Sequence, residues 1–311
     1  ENRELKAKVT QEAEAQLSTQ AVFASNTSTL PITGLAEASK RAENFIGLHF
    51  FSPVDKMPLV EIICGEKTSD ETLALAYDYV QQIGKTPIVV NDSRGFYTSR
   101  VFGTFANEGI AMLGEGIPAA AIENAAFLLG FPVGPLAVTD EVSLTLVDKI
   151  RKQSMLDMAE EGKEFVHHPA EKTVDKMLAM ERVGKLAGAG FYSYPKDTKK
   201  HLWSGLKETF EQADKAIVLQ EIKDRLLYIQ AIETVRCFEE NVLTSVRDAN
   251  IGSIMGIGFP VWTGGILQFI NQTGLDAFIE RAETLFVTCG ERFRVPILLK
   301  DMAKNNLIFK D

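Results

Sequence analysis

Cysteine is scarce in this chain. The three present, Cys64, Cys237 and Cys289, lie far apart and form no CxxC pair. An odd, scattered set builds neither a disulfide frame nor a zinc site, and points to a reduced compartment with buried thiols. Positive charge is also short: 33 Lys and Arg against 42 Asp and Glu leave a formal net charge of −9. That balance argues against a general nucleic-acid binder, although local basic side chains can still line a groove for an acidic ligand. Long apolar runs are missing too. The uncharged stretch Gly252–Ile270 has membrane-spanning length, but five glycines and Pro260 interrupt it, so it reads as a buried turn between helices. The opening ENRELKAKVTQEAEAQL is a charged helix with no signal-peptide core.

Histidine is limited to four positions, and one of them stands out. His49 lies in an apolar run at Asn44–Phe51, and Glu61 lies in a second run at Leu59–Cys64. Both runs are rich in Phe, Ile, Leu and Val and read as strands, with Pro53 and Pro58 bounding the link. A hairpin centred on Asp55 sets His49 directly opposite Glu61. Cross-strand partners sit roughly 4.5–5.5 Å apart at Cα, close enough for a carboxylate to hold an imidazole in one tautomer. That is the arrangement of a His general base with a carboxylate orienter. Spacing alone equally allows an ordinary strand histidine beside an unrelated glutamate. His167 and His168 precede Pro169 in a polar loop and His201 sits in a lysine-rich stretch, so these three read as surface residues.

At 311 residues the chain has room for two or more domains. Residues 1–93 alternate helix and strand: a helix near 2–19, strand Ala21–Ala24, the two strands above, a helix near 69–83 and strand Pro87–Val90. From Arg94 the periodicity turns helical, with helices over Gly95–Gly114, 118–129, 139–161 and 170–182. The polar segment from Pro195, containing PKDTKK, reads as a linker over 196–215, and helices resume at about Ala216. A repeat is visible between Asn107–Pro135 (NEGIAMLGEGI…AIENAAFLLGFPVGP) and Ile232–Gly265 (IETVRCFEENVL…DANIGSIMGIGFPVWTGG), anchored by Gly-Phe-Pro at Gly130 and Gly258. Two copies of one helical module point to duplication, with the copies packed on each other.

Four literal stretches, SNTSTLPIT, GLHFFSP, MPLVEII and GKTPIVVNDSRGF, closely resemble the 3-hydroxyacyl-CoA dehydrogenase family. The likeness covers essentially the whole chain and is closest to the dehydrogenase part of the multifunctional fatty-acid-oxidation complex alpha-subunit. It implies an α/β partial Rossmann-type domain at 1–93 whose N-terminal half is missing. Two mainly α-helical domains related by duplication follow, at 94–195 and 216–311. The GxGxxG turn that opens a dinucleotide-binding domain occurs nowhere in the sequence; Gly188, Gly190 and the cluster Gly252, Gly256, Gly258 sit in the wrong context for it.

The resemblance also implies chemistry: NAD-dependent oxidation of (3S)-hydroxyacyl-CoA to 3-oxoacyl-CoA, with His49 as base and Glu61 as its partner. Ser28, on the SNTS turn, is then expected at the substrate C3 oxygen or the nicotinamide. Two positions depart from the family pattern. Ser52 stands where an asparagine usually helps seat the cofactor, and Ser99 where an asparagine usually meets the substrate carbonyl region. Serine keeps a hydroxyl but is shorter, so those contacts lengthen or run through water. Glu1, Lys6 and Lys185 match cofactor-side positions. The further expectations are an acyl-CoA substrate, a thiolase subunit as partner of the parent protein, no metal, and a cytoplasmic setting if bacterial. As a fragment, the chain is expected to bind NAD weakly and to be inactive. Two rival readings are a short-chain 3-hydroxybutyryl-CoA dehydrogenase, disfavoured by the second repeat, and a non-catalytic acyl-CoA-binding or assembly module.

Overall fold

A computed structural model of the chain describes residues 2–160, 162, 164–212, 216 and 218–311. The chain forms two compact units. One joins Glu1–Phe102 to Gln230–Asp311, and the other holds Gly103–Ile229. The sequence segments drew their lines elsewhere, because helical periodicity reveals that a helix exists but not which surface it covers.

The first unit is built on a sheet. Helix α1 (Arg3–Glu14) precedes strand β1 (Phe23–Ser25), and the short helix α2 (Ile32–Ala36) leads to β2 (Phe45–Phe50) and β3 (Leu59–Cys64). Helix α3 (Asp70–Gln82) and β4 (Thr86–Asn91) complete it. The strand order is β1-β2-β3-β4; β1 runs parallel to β2, β3 antiparallel to β2, and β4 parallel to β3. β2 and β3 are buried along almost their whole length, which explains their unbroken apolar composition: both faces of the sheet are covered. Side chains alternate between those faces. Ile46, Leu48, Val60 and Ile62 meet Ala76 and Val80 of α3 on one side. Gly47, His49, Leu59 and Glu61 therefore face the other. There Ile32 of α2 fills the space a side chain on Gly47 would need, 2.8 Å from the position of its Cβ. Helix α3 is started by Ser69, whose Oγ accepts the Thr72 N–H at 3.2 Å, with Asp70 and Glu71 in the first turn.

The helical elements follow as α4 (Thr98–Gly114), α5 (Ala119–Leu129), α6 (Pro135–Val142), α7 (Leu144–Glu160) and α8 (Ala170–Ala179). A small hairpin of β5 (Tyr192–Ser193) and β6 (His201–Leu202), then α9 (Gly205–Phe210) and α10 (Leu219–Glu239), come next. The chain ends with α11 (Val246–Ile257), α12 (Ile266–Thr273), α13 (Leu275–Cys289) and α14 (Ile297–Lys304). Three local readings need correction. The single helix read over 139–161 is two, broken at Ser143, whose φ of +83° no helix tolerates. The first helix stops at Glu14, and the first strand starts at Phe23. The stretch read as a linker holds β6 and α9, because Leu202 pairs with Tyr192 and Trp203 stacks under the Arg182 guanidinium at 4.1 Å.

The element order recurs. α5, α6, α7 and α8 pack successively on one another, and so do α11, α12, α13 and α14. Gly130 ends α5 with φ +98° and Gly258 ends α11 with φ +72°, both left-handed caps followed by a buried phenylalanine, Phe131 or Phe259. The bend from α6 to α7 at Ser143 has φ +83°, ψ 127°; that from α12 to α13 at Gly274 has φ +83°, ψ 133°. Gly252–Ile270 accordingly comprises the end of α11, a tight turn and half of α12. Among the described residues no helix is long and apolar enough to cross a membrane.

Candidate active site

The register pairs His49 with Glu61 across β2 and β3, as the spacing about Asp55 predicts. His49 Nδ1 lies 2.9 Å from Glu61 Oε2, with 5% of the histidine and none of the glutamate exposed. Glu61 is held on both oxygens. Oε1 accepts the backbone N–H groups of Tyr97 and Thr98, each at 3.0 Å, and Oε2 also accepts the Thr98 hydroxyl at 2.6 Å. Backbone N–H groups can only donate, so Oε1 is an acceptor of both. With Glu61 as the carboxylate, a neutral His49 ring carries its proton on Nδ1 and presents Nε2 as the lone-pair nitrogen. Phe51 and Phe96 pack on the imidazole, with ring centroids 4.6 and 6.0 Å away. A buried base with one oriented, unprotonated nitrogen is what this arrangement can supply.

The donors to Glu61 sit where the chain enters α4. Phe96 adopts φ +51° and is fully buried, turning the backbone so that successive N–H groups point at β3. Two further contacts fix this turn. The Tyr97 hydroxyl donates to the Ala249 carbonyl of α11 at 2.8 Å, and burial pushes its phenol well above the ordinary range. Gly256 of α11 lies against the site: a Cβ there would come within 2.7 Å of Leu59 and 3.4 Å of Phe51 and Thr98. The SNTS loop is tied to the same region, since Gly95 N–H donates to the Thr29 carbonyl at 3.1 Å. Asp92 accepts from Ile32 and Thr33 at 2.8 and 2.7 Å.

The other residues named from sequence separate into groups. Ser28 is exposed in the bend after β1, and Ser52 is exposed just beyond β2; these strands run parallel, so both leave the same sheet edge. Lys6 reaches that edge, donating to Ser25 Oγ at 3.1 Å and to the Asn26 carbonyl at 3.4 Å. Asn26 Oδ1 accepts the Phe50 N–H at 3.3 Å and joins β1 to β2. Ser99 is half-buried, one residue beyond Thr98 on α4. Lys185 belongs to the second compact unit and pairs with Glu141 at 2.8 Å. Glu1 lies outside the described residues. His167 is exposed beside Glu171 at 2.7 Å, His201 is exposed, and His168 is half-buried with its Nδ1 accepting from the Ala170 N–H.

Thr98 and Tyr97 were not singled out from sequence. A threonine beside a serine is generic composition, and only the fold brings it to a glutamate 37 positions away.

Comparison with known proteins identifies a family. The family model described as "3-hydroxyacyl-CoA dehydrogenase, NAD binding domain" matches residues 1–93, and "3-hydroxyacyl-CoA dehydrogenase, C-terminal domain" matches residues 95–194. The chain is 39% identical over 315 residues to a fatty acid oxidation complex subunit alpha from Shewanella amazonensis, with 99% of the chain matched. It spans 43% of that relative's length. Among solved structures, an (S)-3-hydroxybutyryl-CoA dehydrogenase from Ralstonia eutropha is 34% identical. The match covers 63% of this chain and 68% of that one, with a TM-score of 0.57. The dehydrogenase part of multifunctional enzyme 1 from C. elegans is 25% identical, with 97% of this chain and 69% of that one matched and a TM-score of 0.68.

Proposed function

The chain belongs to the 3-hydroxyacyl-CoA dehydrogenase family, and from that premise we propose that it carries the proton-transfer machinery for NAD-dependent oxidation of a (3S)-hydroxyacyl-CoA to the 3-oxoacyl-CoA. The observation that supports this best is the buried His49–Glu61 pair. In this reading His49 Nε2 takes the proton of the C3 hydroxyl as the carbonyl forms. Glu61 holds the ring in the Nδ1–H tautomer and stabilises the imidazolium that results. NAD⁺, when bound, supplies the hydride acceptor. Ser28 and Ser99 complete the polar surroundings of the substrate oxygen. Acyl-CoA as substrate and a thiolase subunit as partner come with the same reading, and so does descent of α11–α14 from a duplicate of α5–α8.

The residues present fit one part of the cofactor only. Lys6, Ser28 and Ser52 gather a cation and two hydroxyls at one sheet edge, suited to the nicotinamide and ribose side. The pyrophosphate side lacks a cradle in this sequence. The helix following β1 has five residues, and Asp92 already occupies its first N–H groups. We therefore assign these 311 residues weak NAD binding and little activity alone. Isothermal titration of NAD into the chain checks this; micromolar binding would show that a cradle exists here after all.

The central test uses a form of the protein that interconverts 3-hydroxyacyl- and 3-oxoacyl-CoA. His49→Gln is expected to lower kcat by about 10²–10⁴-fold with the fold intact. Near-normal kcat with an unchanged pH profile would remove His49 from the role of base.

A further inference from the structure

The role given to Glu61 leaves one of its contacts unexplained. The two N–H groups on Oε1 come from consecutive residues, so they hold the carboxylate at a single oxygen. A carboxylate pinned at one oxygen can still pivot about it. The Thr98 hydroxyl removes that freedom, because it grips Oε2 at 2.6 Å while the Thr98 backbone N–H grips Oε1 at 3.0 Å. One residue thus spans both oxygens and sets the plane of the carboxylate. Oε2 is also the atom that His49 Nδ1 meets at 2.9 Å. Thr98 and Glu61 are both fully buried, so water has no room to replace the hydroxyl. The γ-methyl of Thr98 is turned toward Gly256 of α11, where a Cβ would come within 3.4 Å of it, while the hydroxyl is turned toward Glu61.

We propose that Thr98 is a positioning residue: by holding Glu61 Oε2 in line with β2, it fixes the tautomer and ring direction of His49. Its consequence for turnover rests on the reading of His49 as base, but the hydrogen-bond arrangement does not. Thr98 touches neither substrate nor cofactor in this assignment and acts only through Glu61. Without it Oε2 is held by His49 alone, and the imidazole gains access to its other tautomer.

Nitrogen-15 NMR of the histidine side chains in the whole chain tests this, and with only four histidines the spectrum is simple. The native protein is expected to show His49 as the Nδ1–H tautomer with a protected, downfield Nδ1–H proton. Thr98→Val keeps the shape and removes the hydroxyl. It should shift or broaden that proton and populate the Nε2–H tautomer, while Thr98→Ser restores the native pattern. If the valine variant is poorly folded, Thr98→Ala gives the same comparison against Thr98→Ser. In a form that turns over, Thr98→Val should lower kcat by about tenfold with KM little changed, the effect of one lost hydrogen bond to a charged group. Native His49 signals in the valine or alanine variant would overturn the proposal, as would a serine variant that behaves like valine. These spectra need no substrate or cofactor, so their outcome is separate from that of His49→Gln.

Discussion

In the segment from α5 to β5, two carboxylates tie the turns together. Glu123, in the middle of α5, accepts the Leu136 N–H at the start of α6 and the Tyr192 hydroxyl, at 2.8 and 2.7 Å. Asp140, on α6, accepts the Phe191 and Tyr192 N–H groups at 2.8 Å and the Tyr194 hydroxyl at 3.0 Å. In the segment from α11 to Phe309, amides stand in the corresponding places. Asn250, in α11, accepts from Leu267 and Gln268 at the start of α12, at 3.0 and 3.3 Å. Asn271, on α12, accepts the Phe309 N–H at 3.0 Å and donates to its carbonyl at 2.8 Å. The geometry is shared and the charge is not. Backbone N–H groups need an acceptor oxygen at these points, and a carbonyl or a carboxylate both provide it. Only the carboxylates, however, carry a burial penalty that depends on pH. Burial raises Glu123 above the ordinary carboxylate range, against the lowering effect of Tyr192 and two backbone N–H groups. Asp140 is raised in the same way.

The larger test of this contrast uses pH. An acid with a raised native pKa binds more protons folded than unfolded between its ordinary value, about 4, and the native one. Stability from Glu123 and Asp140 is therefore highest at the acid end of that window and falls as pH rises through it. Hydrogen-exchange protection of the Leu136 and Tyr192 amides should decline with rising pH, while that of Leu267 and Phe309 stays level. Asp140→Asn with Glu123→Gln should make the first pair behave like the second. Equal slopes in both segments would break the comparison.

A smaller effect sharpens it. Ser143 and Gly274 share one backbone conformation but resolve it differently. Ser143 bears the strain of φ +83° and in return caps α7, its Oγ accepting the Thr145 N–H at 3.2 Å. Gly274 has no strain and no cap, and open space where a Cβ would stand. Ser143→Gly should stabilise by about 0.5–1 kcal/mol, since relieved strain exceeds the lost cap and the added chain entropy. Gly274→Ser should destabilise by a similar amount. Denaturant midpoints measure both, and the same sign for the two would refute the shared geometry.

Much of this was legible in the sequence, for reasons specific to each element. The β2–β3 register could be read because two apolar runs flank a short link and place His49 and Glu61 equidistant from Asp55. The Gly-Phe-Pro turns were visible because a left-handed helix cap nearly demands glycine. The break at Ser143 was hidden because serine occupies a position where glycine is the usual signal. Thr98 was hidden because it opens a helix while its partner, Glu61, lies in β3, 37 positions away. The placement of 230–311 with the sheet depends on how α11 approaches it. Gly252 and Gly256, one turn apart, allow that approach to Ile88, Tyr97 and Leu59, but glycines in a helix do not name the surface they meet.

That the sheet and α11 belong to one compact unit has a consequence for biosynthesis. Strands β1–β4 are translated before α11, so the covering that Gly252 and Gly256 bring to Ile88, Tyr97 and Leu59 arrives only after residues 103–229 have been made. The intervening 103–229 forms a compact unit of its own. The His49–Glu61 pair therefore gains the close approach of α11 late, and a nascent chain halted before α11 would leave the sheet face around Leu59 and Ile88 without that helix.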